Sequence, residues 1–132
     1  MSGKFVHAGE IERETLHWGG LSWISRPSLT GAGRLTVMEV TIEPGHGHDF
    51  HTHPEQEEVI VVQSGQIEQW LERERTTLGP GEAVFIGAGT VHASFNTGGE
   101  SATLTVALSP CVGGGGYELV DVSAEEPWSS LR

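Results

Sequence analysis

Residues 45–65 read GHGHDFHTHPEQEEVIVVQSG, and predictions of both the fold and the chemistry of the chain can start from this stretch. It holds His51, His53 and Glu58 close together, and a further histidine, His92, follows downstream. Three imidazoles and one carboxylate form a nitrogen-rich donor set, which suits iron, manganese, nickel, copper or zinc better than calcium or magnesium. We therefore predict that these four side chains bind one divalent transition metal ion.

The spacing of these residues favours β-strands. On a strand, His51 and His53 lie on one face, about 7 Å apart, so that both rings can reach one ion. Pro54 is expected to end regular pairing, and Glu58 to return on the following strand. His92 is expected from a different part of the sheet, which makes the predicted site a meeting point of separate rigid elements.

Alternation along the predicted strands gives both of their faces apolar side chains. If Glu58 and His92 point inward, then Val59, Val61 and Phe95 point outward. An apolar outer face has to be covered, either by a second sheet layer or by a partner subunit. We take this pattern as an indication of a homodimer.

Short apolar segments, rich in Val, Ile, Thr, Phe and Trp and separated by turn signals, predict an all-β chain. No window shows the periodicity of an amphipathic helix. Eight or more short strands in 132 residues are typical of a sandwich, a jelly roll or a small barrel. The predicted strands are 21–26, 34–42, 57–63, 66–72, 82–86, 91–96, 102–108 and 117–122.

Three segments outside the predicted metal site have specific expectations. The Ser-Gly pair at 64–65 is predicted to form a two-residue hairpin loop, with the glycine in a backbone conformation that other residues avoid. Arg73 and Arg75 lie in a charged stretch that is typical of a hairpin tip. Residues 123–132 read as an acidic tail, which we expect Trp128 to dock onto the domain.

Other histidines and the tryptophans are assigned to structure rather than to metal binding. His46 and His48 precede the predicted ligands and are expected to line a solvated rim. Trp18, Trp23 and Trp70 are expected in the core or at an interface, with one of them lining the cavity as the alternative.

Residues 1–132 are predicted to form one domain. The net charge of −11 argues against nucleic acid or an anionic membrane as a partner, because both attract basic surfaces. The single cysteine, Cys111, excludes an intrachain disulfide, and no stretch has the apolar length of a signal-peptide core or a membrane span. We therefore expect a cytoplasmic protein whose partners are a small molecule and a second copy of itself.

Two stretches, 45–65 and 81–96, resemble the two motifs of the cupin superfamily. The first motif, G-x5-H-x-H-x3or4-E-x6-G, is matched in full from Gly45 to Gly65. The second motif, G-x5-P-x-G-x2-H-x3-N, is matched up to Asn96 except that Gly87 replaces the proline. Glycine loosens that turn and leaves the ligands unchanged.

The resemblance implies a double-stranded β-helix, a small jelly-roll barrel, with His51, His53, Glu58 and His92 binding a divalent metal inside it. Four protein donors leave two positions of a six-coordinate ion for water, O₂ or a substrate. We expect a non-haem metal-dependent oxygenase acting on a small organic molecule, in which Glu58 also serves as a base. Two alternatives stay open: a non-catalytic metal-binding or ligand-sensing protein, and a metal-dependent isomerase of a sugar or sugar phosphate.

Overall fold

A computed structural model describes residues 2–132 of the chain. Within this range the chain forms eleven strands, one 3₁₀ turn at Ala8–Glu10 and two single-turn helices, α1 at Pro27–Thr30 and α2 at Trp128–Leu131. No helix within residues 2–132 has the length and hydropathy needed to cross a membrane. The strands are β1 Glu12–Leu16, β2 Gly19–Ser25, β3 Thr36–Ile42, β4 Gly47–Thr52, β5 Glu57–Ser64, β6 Ile67–Leu71, β7 Glu74–Leu78, β8 Ala83–Ile86, β9 His92–Phe95, β10 Ala102–Ser109 and β11 Val120–Asp121.

These strands form two antiparallel sheets. One sheet has six strands in the order β1-β2-β3-β10-β5-β8, and the other has five in the order β11-β4-β9-β6-β7. Strands that follow one another along the chain, such as β4 and β5 or β5 and β6, lie in different sheets, as expected when a jelly roll is wound. The predicted all-β, double-stranded β-helix is therefore confirmed.

The core lies between the two sheets. Along β3 and β10 every second side chain is buried, since the side chains of a strand alternate between its two faces. Along β5 the predicted inward residues Glu58, Ile60 and Val62 are all buried, so a carboxylate is held among apolar neighbours, where it needs a compensating charge. The largest apolar side chains of this core with almost no exposure are Trp23, Ile42, Ile67, Ile86, Leu104 and Leu108.

The outer face of the five-stranded sheet is covered by the end of the same chain. Phe50, Trp70 and Phe95 form a second apolar cluster there, and α2 packs against it. The ring centroid of Trp128 lies 5.7 Å from that of Phe50. The docking of 123–132 through Trp128 is as predicted, and this segment covers the apolar cluster that contains Phe95.

The outer face of the six-stranded sheet keeps an exposed apolar row. Val59 on β5 pairs with Phe85 on β8, and these two residues are 38% and 58% exposed. The row continues through Ala107 on β10 and Val37 on β3, so four apolar residues lie in line across four strands. A homodimer stays a prediction, and this row is the surface through which we expect it to form.

Three observed strands, β1, β4 and β7, lie outside the predicted ones. β1 and β7 are sheet edges with mostly exposed, partly charged residues, and such edges lack the usual apolar alternation. Arg75 therefore lies within β7, and the hairpin tip is at 72–73, where Glu72 has a φ of 53°. The predicted strand 117–122 shrinks to β11, because the backbone of Glu118 bonds to side chains near the site described below instead of to a strand.

The Ser-Gly pair at 64–65 does not form a hairpin, contrary to the prediction. β5 pairs with β10 and β8, whereas β6 pairs with β9 and β7, so this turn carries the chain from one sheet to the other. Gly65 does adopt the left-handed conformation, with a φ of 74°. A Cβ atom at this position would lie 2.7 Å from the carbonyl oxygen of Ser101, so the tight packing also requires glycine.

Candidate metal centre

The four predicted ligands lie together between the two sheets. His51 on β4 is directly opposite His92 on β9, so these residues are cross-strand neighbours. His53 follows the last residue of β4, and Glu58 lies on β5 in the opposite sheet. His92 therefore comes from a different strand, as expected; that strand is the neighbour of β4, and the carboxylate is the donor that the other layer contributes.

The distances between the donor atoms suit a single ion. His51, His53 and His92 each offer one nitrogen, and these nitrogens all lie within 4.8 Å of one another. Oε1 of Glu58 is 2.9 Å from Nε2 of His92 and 3.4 Å from Nε2 of His53. Because a metal–nitrogen bond is about 2.1 Å long, neighbouring donors around one ion are expected about 3 Å apart.

The backbone fixes which ring nitrogen of each histidine faces the centre. In every case Nδ1 lies within hydrogen-bond distance of a carbonyl oxygen, which can only accept, so Nδ1 carries the proton and donates it. Nε2 is then left with a lone pair for a metal ion, as is usual for metal-binding histidines. The carbonyl partners are Asp49 for His51 at 2.6 Å, Glu118 for His53 at 2.7 Å and Thr90 for His92 at 3.0 Å.

Two buried polar atoms at the centre, Oε1 of Glu58 and Nε2 of His92, have no hydrogen-bond partner within residues 2–132. Both atoms are acceptors in this arrangement, and they face one another at 2.9 Å. Two acceptors so close in a buried site repel each other unless a cation joins them. The donor set therefore fits a divalent metal ion, and its chemistry does not distinguish among the transition metals.

The charges at the site follow from this arrangement. Burial alone would raise the pKa of the Glu58 carboxyl, but contact with the His53 imidazole outweighs burial and lowers that pKa below its ordinary value, so the group is ionised. Burial, together with the imidazoles of His48 and His92, holds the pKa of His51 well below its ordinary value. Burial also lowers the pKa of His53, but contact with Glu58 outweighs it and raises that pKa. Metal binding requires an ionised carboxylate and neutral imidazoles, so an ion that enters the site has to displace the proton that the raised pKa favours on His53.

His48 belongs to the interior of the site, so the prediction that it lines a solvated rim is wrong. Its ring centroid lies 3.8 Å from that of His51 and 5.0 Å from that of Trp18, with all three rings nearly parallel. Burial, helped by the nearby imidazoles, lowers the pKa of His48 to about 4, so this ring is neutral at pH 7. His46 is exposed, as predicted.

A cavity of about 120 Å³ lies beside the four ligands. Trp18 is the tryptophan that lines it, which confirms the alternative raised for one of the three. Apart from the ligands, its polar lining residues are His48, Ser94 and Tyr117, and the lining that the structure describes contains neither Lys nor Arg. A molecule that fits this cavity is therefore mostly apolar. The apolar lining residues are Leu16, Leu21, Met38, Val40, Ile42, Ile60, Leu104, Val106 and Leu108.

A loop at 110–118 is fastened beside the site by Gln56. Nε2 of this buried side chain donates to two carbonyl oxygens of the loop at 2.7 and 3.0 Å, and its Oε1 accepts from the backbone N–H of Glu118. The carbonyl of Glu118 accepts in turn from His53. Tyr117 lies between these contacts, with its ring centroid 5.7 Å from that of His53. Gln56 thus orients one ligand through the loop.

Three residues of the site were not singled out as functional by the sequence patterns, namely Gln56, Ser94 and Tyr117. Ser94 does have a signal, because alternation along its strand puts it on the same face as His92. Gln56 and Tyr117 lie outside the strands, where no periodicity indicates the direction of a side chain.

The comparison with protein families agrees with the two motifs. A family model described as "Cupin domain" matches residues 38–108, which is more than half of the chain. The chain belongs to the cupin family. The matched range contains all four predicted ligands of this cupin, including Glu58 from the second sheet.

Three proteins show what this cupin is similar to. Polyketide synthase CurC of Streptomyces cyaneus is 29% identical over 110 residues, which cover 83% of this chain and 71% of that protein. The structure of the polyketide cyclase RemF from Streptomyces resistomycificus has a TM-score of 0.73 at 21% identity and covers 98% of both chains. Oxalate decarboxylase of Lactobacillus farciminis, as its formate complex, has a TM-score of 0.75 at 17% identity over 89% of this cupin and 35% of that chain. The two structural matches agree with the fold described above.

Proposed function

We propose that this cupin is a metal-dependent enzyme that closes a ring in a poly-β-carbonyl compound. The observation that carries the proposal is the buried set of three imidazoles and one carboxylate in the wall of an apolar cavity. Apolar walls favour a carbon skeleton, and the donor set favours an oxygen anion on that skeleton. CurC and RemF support this reaction class, since both are named for polyketide chemistry.

The residues that would hold the metal are His51, His53, Glu58 and His92. When bound, a divalent ion stabilises negative charge that develops on an enol oxygen. The chain itself supplies orientation, because the backbone carbonyls hold the three imidazoles in place before a substrate arrives. The apolar walls exclude water, which strengthens every electrostatic interaction inside the cavity.

Ring closure by an aldol step needs two proton transfers and no oxidant. A carbon next to a carbonyl group loses a proton and forms a bond to a distant carbonyl carbon, whose oxygen takes up a proton. Loss of one water, followed by enolisation of the two remaining carbonyl groups, then gives an aromatic ring. We assign Glu58 as the base, because its carboxylate is ionised, and Tyr117 as the acid, because it lines the cavity and burial raises its pKa, which keeps it protonated.

The size of the cavity limits what it can hold. Its volume of about 120 Å³ is close to the ~150 Å³ of an engineered protein cavity that binds benzene. We infer that one ring of the product occupies the cavity and that any longer chain extends outside it.

Heptane-2,4,6-trione tests the proposal, because its aldol closure gives orcinol and one water within a single ring. Protein reconstituted separately with manganese, iron, nickel, copper and zinc is expected to speed orcinol formation under nitrogen. His51→Ala should abolish the acceleration, and Tyr117→Phe, which keeps the ring, should lower kcat by about 100-fold, within the usual range for loss of a general acid. Equal rates with and without protein for every metal would refute ring closure.

An oxygenase is the second candidate, and the number of donors favours it. Four protein ligands leave two positions of a six-coordinate ion, enough for a substrate oxygen and O₂. The same trione, together with catechols and flavonols, can be incubated in air with an oxygen electrode. Oxygen uptake that depends on His51 and yields cleaved products would select this candidate over ring closure. A sugar phosphate isomerase is less favoured, since no Lys or Arg lines the described cavity.

A further inference from the structure

A second row of polar side chains runs beside the metal ligands on the inner face of the five-stranded sheet. Ser94 on β9 is directly opposite His48 on β4 and Gln69 on β6. Ser94 is also two residues from His92 along the same strand, so about 7 Å separate it from this metal ligand. Both Ser94 and Gln69 are buried, at 5% and 2% exposure, and Ser94 lines the cavity.

The hydrogen bonds of this row fix the direction of each proton. Nε2 of Gln69 donates to the carbonyl oxygen of Trp70 at 3.1 Å, and a carbonyl can only accept, so the amide orientation is determined. Oε1 of Gln69 therefore faces Ser94, whose hydroxyl donates to it at 2.6 Å. The only proton of the Ser94 hydroxyl is engaged in this bond, so the hydroxyl can offer a ligand only its lone pairs.

We propose that Ser94 is a specificity-determining residue that accepts a hydrogen bond from a hydroxyl group of the substrate. The selected compound carries one oxygen toward the metal ligands and a phenolic or enolic hydroxyl about one ring away. This inference rests on the proposed function, and it specifies the substituent that the site selects.

A hydroxyl is favoured because the alternatives leave buried acceptors unpaired. A ketone or methoxy oxygen at the same place meets the lone pairs of Ser94 and gains no hydrogen bond. A bare ring leaves Ser94 without a donor among apolar walls that include Val106 and Leu104. Sites built around one hydrogen bond reject the analogue that lacks it strongly, so a preference of roughly 10-fold or more is expected.

Calorimetry on zinc-loaded protein tests the inference without requiring turnover. The parent probe is 2′-hydroxyacetophenone, whose two adjacent oxygens would bind the zinc ion. Matched probes carry one additional hydroxyl or one methoxy group at each remaining ring position. One hydroxyl isomer should bind at least about 10-fold more tightly than the parent, and its methoxy counterpart should show no gain. In Ser94→Ala this gain should vanish while the affinity for the parent stays within about 2-fold, since the metal ligands are untouched.

Gln69→Met provides a second, opposite test. The variant keeps the side-chain volume but removes Oε1, so the Ser94 hydroxyl becomes free to turn and donate to the ligand. Methoxy isomers, which the natural protein does not favour, should then gain affinity. Neither this variant nor the double variant Ser94→Ala with Gln69→Met leaves a carboxamide oxygen unpaired. Both can therefore replace Ser94→Ala in the test if that single variant fails to fold.

The outcomes separate the two proposals. Tight parent binding with no preference for any hydroxyl isomer overturns the role of Ser94 and leaves the metal-dependent function standing. A preference that persists in Ser94→Ala also overturns it. If neither the parent nor any isomer binds the zinc-loaded protein, the proposed function fails and this inference fails with it.

Discussion

Oε1 of Glu58 and Nε2 of His92 lie 2.9 Å apart between the two sheets, and neither atom has a hydrogen-bond partner in the part of the chain that the structure describes. The ring proton of His92 is on Nδ1, which donates to the carbonyl oxygen of Thr90. The pair therefore consists of two acceptors, which attract each other only through a shared cation. Variants of this pair should thus behave differently with and without metal.

Glu58→Gln is expected to change stability in opposite directions in the two states. Without metal, the amide can donate to Nε2 of His92, so the free energy of unfolding should rise by about 1 kcal/mol, the net value of one hydrogen bond. With metal, the variant should lose most of the stabilisation that metal binding provides. For the unmodified site this stabilisation is about 2.7 kcal/mol when the metal concentration is 100 times Kd. Urea titrations with and without zinc measure both quantities. A metal-free variant less stable than the natural protein would contradict this picture.

His51→Ala should remove the metal, because this residue supplies one of three converging imidazoles. We expect affinity to fall by more than about 100-fold, since changes outside the ligand shell alone cost ~10–100-fold. Elemental analysis after reconstitution and gel filtration reports the metal content per chain. His46→Ala is the matched control, because His46 is exposed and should keep full occupancy.

Acid should destabilise the metal-free protein partly through His48. Its pKa is about 4 in the fold and about 6.5 in the unfolded chain. Between these values the unfolded chain binds a proton that the folded chain does not, so stability falls as the pH drops from 6.5 toward 4. His48→Phe keeps an aromatic ring in the stack and cannot titrate. Between pH 7 and pH 5 the natural protein should lose about 1–2 kcal/mol more than the variant in denaturant titrations. Parallel pH curves would contradict the expectation.

Trp128→Ala should destabilise the domain by uncovering the apolar cluster around Phe50. Full burial of such a ring is worth about 3–5 kcal/mol on truncation, and Trp128 is half-buried, so we expect about 2 kcal/mol. Thermal unfolding monitored by circular dichroism measures the loss. Phe5→Ala is the control, since Phe5 is 88% exposed and should have almost no effect.

Phe85→Lys tests the predicted homodimer. Phe85 pairs with Val59 in the exposed apolar row, and a charge there disfavours burial against a second copy. Light scattering after gel filtration should show a dimer for the natural protein and a monomer for the variant. Leu35→Lys, at an equally exposed apolar residue outside this row, should stay dimeric. A natural protein that is monomeric at every concentration would rule the dimer out.

Much of the candidate site could be predicted from the sequence. The H-x-H pair and the acid a few residues later are close along the chain, so their local spacing limits where the side chains can lie. The partner of His51 across the sheet could not be predicted, because strand pairing depends on the whole topology. His48 was missed for a related reason: β4 contains a register shift between His48 and His51, so simple alternation does not show that His48 faces the interior.

The fold class was predictable for the strands with buried faces, and the edges were not. β3, β5 and β10 alternate between buried and more exposed residues, and this alternation can be recognised in the sequence. The edge strands β1 and β7 bury almost nothing, so charged residues occupy them without penalty. The turn at 64–65 has the residues of a hairpin, but the pairing of the strands on either side decides that it joins two sheets.

One sheet provides His51 and His92, and the other provides Glu58. An ion held by all of them would link the two layers across the barrel in addition to the apolar core, so its loss would weaken the contact between the sheets. The resistance of this protein to proteases would then depend on the supply of metal. Depletion of the ion would lower the amount of protein as well as its activity.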